Sequence, residues 1–514
     1  MSKSFFLLLL STLIVFPSQA QSVYQNLQTG EYDVGFKIVT IEDDTRYESQ
    51  GHEYPSSNQK LKPREISIHI WYPAQANSKN RRITYGEYCY NHLQSSTAET
   101  MDSARIQSQL RSRKRTVRSY FGEPDEKGWA KLIATPLLAY IDAEPMNGSF
   151  PLLMGSLRPL STSIVNEYMA SHGYIVAMIE YPNFNGTFGD MALDDVRDMQ
   201  LGMTWMVKNM SVEPGQIGSY GFSGAGFSQV LMAMDEPRIK AIADLESGLF
   251  MDRLFQSLSA SDYYKPERLR VPFLHIFSTD LSEEEIHLSQ FEDKMKFSDR
   301  YRLILNQPAL HHWDFASEGY TACLFLNNRG DEKRNIEQSF ELSCKYLVKF
   351  FDVYLKQDQQ ALAFLQKKPT IRGYASELWD LTTYKAVQPA PNLDQFEQLI
   401  TNKGIEEAVS IVRNTIMIDS TSNLWEGSRM NAIGYQYLSD KQYEEAIGIF
   451  KLNAELHPTA AGWIDSLAEA YELTGEQDKM KQIAKQVVDI LTAEESLSDS
   501  DQSLLALNQE RLGK

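Results

Sequence analysis

A serine flanked by small residues is the side chain in this sequence best placed to act as a nucleophile. Ser223 stands in the run Gly-Phe-Ser-Gly-Ala over residues 221–225, which follows the G-x-S-x-G pattern with alanine replacing the last glycine. Residues 216–220 predict a short strand, and apolar residues recur at helical spacing after the serine (Phe227, Val230, Leu231 and Met234). A strand, a tight turn and a helix are the setting of a nucleophile elbow. An ordinary glycine-rich turn is the alternative.

A nucleophilic serine needs a histidine to accept its proton, and in this motif the histidine comes last in the chain, after an acid. The pair His311-His312 follows a predicted strand over 301–305 and precedes predicted helices. The other histidines after the serine lie in a predicted strand, a charged helix and the C-terminal helical region (His275, His287 and His457). We therefore predict that His312 is the general base, with His311 as the reserve candidate.

Two carboxylates follow predicted strands and could orient that histidine. Glu246 comes directly after the apolar run 239–245, and Asp280 comes shortly after the run 271–277. Either could supply the buried negative charge that holds the imidazole tautomer. Asp280 precedes a helix-like segment and could instead cap it, whereas Glu246 is followed by a Ser-Gly turn. Both Glu246 and Asp280 therefore remain candidates for the acid that orients the histidine.

Buried strands alternate with helical patterns over most of the chain, which is typical of an α/β fold with a mostly parallel sheet covered on both faces. The sequence predicts an α/β domain over residues 21–388. This domain begins with two alternating strands and contains a helical insertion over 90–135. Substrate specificity would depend on this insertion and on the loops. The strand-like runs are residues 34–41, 65–73, 150–156, 174–180, 239–245, 271–277 and 301–305.

The region beyond Pro389-Ala390-Pro391 contains helical patterns only, and that proline-rich stretch is the predicted linker. Positions typical of a tetratricopeptide repeat occur there and recur with a shift of about 34 residues. They are Met430, Ile433, Gly434, Tyr437, Ala446, Phe450 and Pro458, then Ile464, Leu467, Ala468 and Tyr471. We predict an all-α, tetratricopeptide-like domain over 389–514. It could pack on the α/β domain or present a concave face to a protein partner.

The first 20 residues have the features of a signal peptide. Lys3 is followed by an apolar run over 5–16 and by the small-residue site Ser18-Gln19-Ala20. No later run is long enough to cross a membrane. We therefore expect an exported protein, periplasmic or secreted, without a stable membrane span.

Charge and cysteine content restrict the partners further. The net charge of −18 over 514 residues argues against binding to nucleic acid or to anionic membranes. Cys89, Cys323 and Cys344 leave room for one disulfide and show no metal-binding spacing. No metal or organic cofactor is expected.

Several segments, in order, resemble the platelet-activating-factor acetylhydrolase and dienelactone-hydrolase-like branch of the α/β-hydrolases. They are Val34-Gly35-Phe36, Trp71-Tyr72-Pro73-Ala74, residues 139–143, Phe150-Pro151-Leu152-Leu153, residues 170–177 and the elbow. The resemblance covers roughly residues 30–355. It implies an α/β-hydrolase that cleaves short-acyl esters. Its register places the acid on Glu246, and its histidine is followed three residues later by phenylalanine, as His312 is by Phe315.

The oxyanion loop departs from the pattern of that branch, which usually has Ser-His-Gly-Leu-Gly there. This chain has Ser156-Leu157-Arg158-Pro159-Leu160, and proline has no N–H to donate. The oxyanion hole would then consist of the N–H of Gly224 with that of Leu157 or Arg158. Loss of one donor costs about 100- to 1000-fold in rate.

These features predict a serine ester hydrolase with Ser223 as nucleophile, His312 as base and Glu246 as acid, acting on a small-molecule ester. The altered oxyanion loop favours a second hypothesis, an inactive hydrolase fold that binds a partner through its pocket or its repeats. A peptidase or acyltransferase using the same three residues is a third hypothesis.

Overall fold

The computed structural model describes residues 21–47, 63–90, 102–156, 159–180, 188–247, 256, 259–261, 263–278, 294–306, 310–326, 329–366 and 379–513. The chain divides into two compact units, the first ending at Ala386 and the second beginning at Val387. The predicted signal peptide, residues 1–20, lies outside the described residues. None of the described helices is long and apolar enough to cross a membrane.

A twelve-stranded mixed sheet forms the centre of the first unit. Its strands are β1 (Asp33–Tyr47), β2 (Pro63–Gln75), β3 (Arg82–Thr84), β4 (Pro136–Ile141), β5 (Glu144–Pro145), β6 (Phe150–Ser156), β7 (Ile175–Ile179), β8 (Val212–Phe222), β9 (Ile239–Leu245), β10 (Phe273–Ser278), β11 (Arg300–Leu305) and β12 (Trp379–Tyr384). Their spatial order is β12-β11-β10-β9-β8-β6-β7-β2-β1-β4-β3, and β5 pairs with β2.

The helices of the first unit connect these strands. They are α1 (Gln21–Tyr24), α2 (Tyr85–Tyr90), α3 (Ser103–Phe121), α4 (Glu126–Ile133), α5 (Pro159–Ser171), α6 (Phe188–Asn209), α7 (Ala225–Asp235), α8 (Ser317–Phe325), α9 (Lys333–Lys356) and α10 (Gln359–Leu365). Helices α3 and α4 occupy most of the predicted helical insertion over 90–135.

The central strands β7, β6, β8, β9, β10 and β11 pair in parallel, while β2 and β12 flank them in antiparallel orientation. Side chains alternate between the two faces of each strand. In β7, Val176 and Met178 join one hydrophobic core, and Ile175 and Ile179 join the other. Helices α5 and α9 contribute to the first core, and α6 and α7 to the second. The α/β class predicted from the sequence is confirmed by this mixed sheet flanked by helices.

The sheet differs from the sequence predictions at the start of one strand and in four strands that were not predicted. Strand β8 begins at Val212, before the short strand predicted over 216–220, and so includes Pro214-Gly215. An irregularity in its pairing with β6 accommodates that dipeptide, since Phe150 pairs with Val212 and Leu152 with Ile217. Strands β3, β4 and β5 were not predicted, and neither was β12. Only Trp379 among the residues of β12 is buried. The sequence of this strand is therefore mostly polar and shows no hydrophobic alternation.

The three cysteines, which could have formed one disulfide, are free thiols in the structure. Cys89, Cys323 and Cys344 all lie among the described residues, and all three are buried with free thiols. Burial raises the pKa of the Cys89 and Cys323 thiols to about 12, so both are protonated at neutral pH.

The second unit is helical, as the sequence predicted. Its helices are α11 (Leu393–Lys403), α12 (Ile405–Thr415), α13 (Gly427–Ser439), α14 (Tyr443–Leu456), α15 (Ala461–Leu473), α16 (Gln477–Thr492) and α17 (Asp499–Gly513). Successive helices pack around three hydrophobic clusters. Gly434 permits a close contact, because a Cβ there would lie 2.4 Å from the ring of Phe450.

Candidate active site

Ser223 occupies a strained turn between a strand and a helix. Strand β8 ends at Phe222 and helix α7 begins at Ala225. The φ angle of Ser223 is 56°, in the left-handed region that costs a non-glycine residue free energy. Its N–H donates to the carbonyl of Leu245 at 3.0 Å. The turn thus has the conformation of a nucleophile elbow, with the serine half-buried at the carboxyl edge of the sheet.

The small residues around the serine let α7 pack closely against the sheet. A Cβ on Gly221 would lie 2.9 Å from the carbonyl carbon of Ala225, and a Cβ on Gly226 would lie 2.4 Å from Cβ of Ser247. Gly221 and Gly226 must therefore both lack a side chain for this packing, and Gly226 lies one residue beyond the end of the motif.

His312 lies against the serine. Its Nε2 is 2.9 Å from Oγ of Ser223, a hydrogen-bond distance suited to proton transfer. The imidazole stacks on Phe222, with ring centroids 4.8 Å apart and an interplanar angle of 26°, and meets Trp313 edge-on at 5.8 Å. The structure therefore brings Ser223 and His312 together, whereas His311 is exposed.

The turn that carries His312 is held by contacts the sequence analysis missed. Asp314 is buried, and its carboxylate accepts hydrogen bonds from the N–H of His311 at 2.9 Å and from Nη2 of Arg329 at 2.8 Å. A Cβ on Gly319 would lie only 2.2 Å from the carbonyl oxygen of Trp313, so glycine lets α8 pack on the turn. Asp314, three residues after His311, was the available signal, because this is the spacing of a capping interaction.

Burial lowers the pKa of His312 to about 4. The imidazole is then neutral, and able to accept a proton, at every pH above that value. We expect kcat/KM for an ester to fall as the pH drops through the pKa of His312 in the free enzyme, with the acid limb below pH 6.5. A pH profile of kcat/KM measures this limb directly. A limb at or above about pH 7 would contradict the prediction.

The two candidate acids differ in what the structure shows of them. Glu246 follows β9 in the left-handed conformation, with φ 50°, and is buried. Its carboxylate accepts hydrogen bonds from the N–H of Ser278 at 2.8 Å and from the hydroxyl of Ser278 at 3.0 Å. Ser278 ends β10, two residues before Asp280 in the sequence. Asp280 itself lies outside the described residues.

His275, which the sequence analysis set aside, lies inside β10 as predicted. Its Nε2 is 3.2 Å from Oδ1 of Asp244, and both side chains are buried. Burial lowers the pKa of His275 and raises the pKa of Asp244. This pair lies within the sheet, where Asp244 belongs to β9, two residues before Glu246, and His275 belongs to β10.

The predicted oxyanion donors are described only in part. Gly224 is the N-cap residue of α7, where backbone N–H groups have no partner within the helix. Leu157 and Arg158 lie outside the described residues. Among the described residues, no cluster of three or more His, Cys, Asp and Glu side chains is arranged to hold a metal ion.

A buried carboxyl anchors the strand that leads into the oxyanion loop. Asp195, on α6, is fully buried and accepts a hydrogen bond from the hydroxyl of Ser156, the last residue of β6. Burial raises the pKa of Asp195 to about 7. Nothing in the sequence of an amphipathic helix marks a single aspartate as buried, so Asp195 could not be predicted from its neighbours.

The raised pKa of Asp195 predicts a dependence of stability on pH. The unfolded chain ionises this carboxyl near the usual aspartate value of 3.8, while the folded chain keeps it protonated up to about pH 7. The Asp195 carboxyl therefore makes its full contribution to the free energy of unfolding below pH 3.8. This contribution is lost as the pH rises to about 7. We expect the Tm of Asp195→Asn, relative to the parent, to rise between about pH 5 and about pH 7 in thermal melts. A constant difference in Tm would contradict this.

A family model named X-Pro dipeptidyl-peptidase (S15 family) matches residues 64–266. The matched segment is less than half of the chain; it includes Ser223 and Glu246 and ends before His312. The match, the sheet and the serine at the elbow indicate a serine hydrolase of the α/β-hydrolase type.

One similar solved structure is a ferulic acid esterase from Streptomyces cinnamoneus, which is 18% identical to this chain. The alignment covers 69% of this chain and 97% of the esterase, with a TM-score of 0.47. A search of curated proteins finds no match.

Proposed function

We propose that this protein is an exported hydrolase of carboxylic esters that uses Ser223 as nucleophile and His312 as general base. The observation that carries the proposal is the 2.9 Å contact between Oγ of Ser223 and Nε2 of His312, made by a serine in the strained elbow conformation. A nucleophile and a base at hydrogen-bond distance are the signature of covalent serine catalysis.

In the proposed reaction, Oγ of Ser223 attacks the ester carbonyl carbon while Nε2 of His312 takes the hydroxyl proton. The resulting oxyanion accepts hydrogen bonds from the N–H of Gly224 and from one N–H of the loop at Leu157. The carbonyl then re-forms, and the alcohol leaves with the proton from His312. Water, deprotonated by the same imidazole, hydrolyses the acyl-enzyme. A carboxylate following β9 or β10, Glu246 or Asp280, holds the imidazole tautomer.

The proposed ester substrate rests on the resemblance of residues 30–355 to the acetylhydrolase and dienelactone-hydrolase-like branch. A peptidase is the second candidate, because the matching family model carries the name of X-Pro dipeptidyl-peptidases. The two candidates share the serine and the histidine, so only substrates separate them.

Methyl butyrate, followed by pH-stat, and Ala-Pro-p-nitroanilide test the two candidates, with Ser223→Ala as the background. An alkyl ester without an activated leaving group is needed, because many serine peptidases also hydrolyse activated aryl esters. We expect hydrolysis of methyl butyrate above background and none of the anilide. Release of nitroaniline that depends on Ser223, without hydrolysis of the ester, would establish the peptidase. Hydrolysis of neither substrate would favour the inactive, partner-binding hypothesis.

We also propose that the second unit consists of tetratricopeptide repeats. The close packing of Gly434 against Phe450 supports this, since both occupy signature positions, as does the hydrogen bond at 2.7 Å between Tyr435 and Glu469, residues one repeat length apart. A chain ending at Ala386 tests whether this unit serves the reaction. Unchanged ester hydrolysis would assign it to partner binding, and loss of soluble protein would assign it to stability.

A further inference from the structure

A cavity adjoins the candidate active site and is closed on one side by the helical insertion. It has a volume of about 390 Å³. Trp313 forms one wall, and its ring contacts both Phe222 and His312, with centroids 5.8 Å away in each case. Leu160, the last residue of the oxyanion loop, and Ser161 after it form another wall at the start of α5. The cavity thus borders the histidine turn and the oxyanion loop at the same time.

Helix α3 supplies the opposite wall. Val117 and Tyr120 line the cavity from this helix, and the ring of Tyr120 packs on Trp313 with centroids 4.8 Å apart. The apolar and aromatic walls suit an organic group of moderate size. The same helix also places a charge inside the cavity.

Arg113, on α3, lines the cavity and is only 8% exposed. Within the described part of the chain, it makes no hydrogen bond and no ion pair. A buried guanidinium is normally paired, because removing it from water without a partner is costly. Its charge does act on the cavity, since it lowers the pKa of the neighbouring Cys89 and Tyr85 against the larger raising effect of burial.

Glu318 is the carboxylate that also lines this cavity. It is buried, and its Oε1 accepts a hydrogen bond from the hydroxyl of Ser161 at 3.0 Å. No ion pair joins it to Arg113 among the described residues. Among the described lining residues, Arg113 and Glu318 thus lie apart from each other.

We infer that this cavity binds the substrate and that Arg113 binds a carboxylate carried by the ester. The inference rests on the proposed esterase function and names its substrate class. A planar guanidinium binds a planar carboxylate through two parallel hydrogen bonds, and a partly desolvated site strengthens them. Arg113 is thus a residue for specificity and takes no part in the bond-making steps.

The test compares two aryl acetates that differ in one charge, 4-acetoxybenzoate and 4-acetoxybenzamide. We expect kcat/KM to favour the benzoate by about tenfold or more, the range for a hydrogen bond to a charged group. In Arg113→Gln the ratio of kcat/KM for the benzoate to kcat/KM for the benzamide falls to near one. Arg113→Lys retains part of the preference. Arg115→Gln is the matched control, because it removes an exposed charge from the same helix, and it keeps the full preference.

Equal kcat/KM for both esters in the parent protein, or a preference that survives in Arg113→Gln, would overturn the inference. A stronger preference for 4-acetoxyphenyl phosphate would overturn the carboxylate assignment. If neither ester is hydrolysed, the proposed function fails, and binding of 4-acetamidobenzoate against 4-acetamidobenzamide by calorimetry decides the role of Arg113. Binding of the benzoate that is lost in Arg113→Gln would support the inference without any turnover, and no binding would reject it.

Discussion

Replacement of Ser223 by alanine abolishes ester hydrolysis, and replacement of His312 by alanine lowers it by a similar factor. We expect losses on the order of 10⁴- to 10⁶-fold in kcat, because residues that act as a nucleophile–base unit lose nearly all activity when either is removed. The physical reason is the contact of 2.9 Å between the two side chains. Without the imidazole, the hydroxyl keeps its proton and is a weak nucleophile.

Labelling with a fluorophosphonate, followed by intact mass measurement, checks this prediction without knowledge of the substrate. The parent protein gains a single adduct, and neither variant does. His311→Ala is the matched control, since that side chain is exposed on the same turn, and we expect it to keep the adduct. Absence of an adduct on folded parent protein would reject the hydrolase proposal, and labelling of Ser223→Ala would place the nucleophile elsewhere.

Replacement of the triad acid by its amide costs about 10⁴-fold in kcat, and we expect this loss in one of the two variants Glu246→Gln and Asp280→Asn. The sequence-based prediction assigns it to Glu246→Gln. In the structure, the carboxylate of Glu246 receives two hydrogen bonds from Ser278 and so fixes the end of β10. Asp280 comes two residues after Ser278 in the sequence and lies outside the described residues.

The pair Glu246→Gln and Asp280→Asn separates the two roles, because each substitution keeps the shape of the side chain and removes its charge. A positioning role for Glu246 predicts that Glu246→Gln destabilises the fold, seen as a lower Tm, with a modest change in kcat. The opposite result, a loss of about 10⁴-fold in Glu246→Gln with activity retained in Asp280→Asn, would make Glu246 the acid, as the sequence analysis predicted.

The resemblance and the structure locate the chemistry at the same edge of the sheet by independent arguments. Parallel strands bring their carboxyl ends to one edge, so residues that follow β8, β9, β10 and β11 converge there although they are far apart in the chain. This convergence explains why a short glycine-rich motif and a downstream histidine, read only as spacing, identified the two side chains that meet.

The sequence by itself determined the features that depend on local pattern. Alternation and apolar runs predicted the α/β class and the helical C-terminal region. The elbow at Ser223 was predictable because backbone strain requires small neighbours nearby in the chain. The turn after β11 pointed to His312, and position beyond a strand was enough to name Glu246 and Asp280.

Only the tertiary structure decided what depends on contacts between distant segments. The polar strand β12 is stabilised by its pairing with β11. Because this pairing involves the backbone, the sequence of β12 shows no hydrophobic alternation that would predict a strand. The hydrogen bonds from Ser278 to Glu246, the burial of Asp195 and the burial of Arg113 beside the active site arise from packing between separate elements. Burial and proximity set the pKa and the role of a charged side chain, and neither is encoded by its immediate neighbours in the chain.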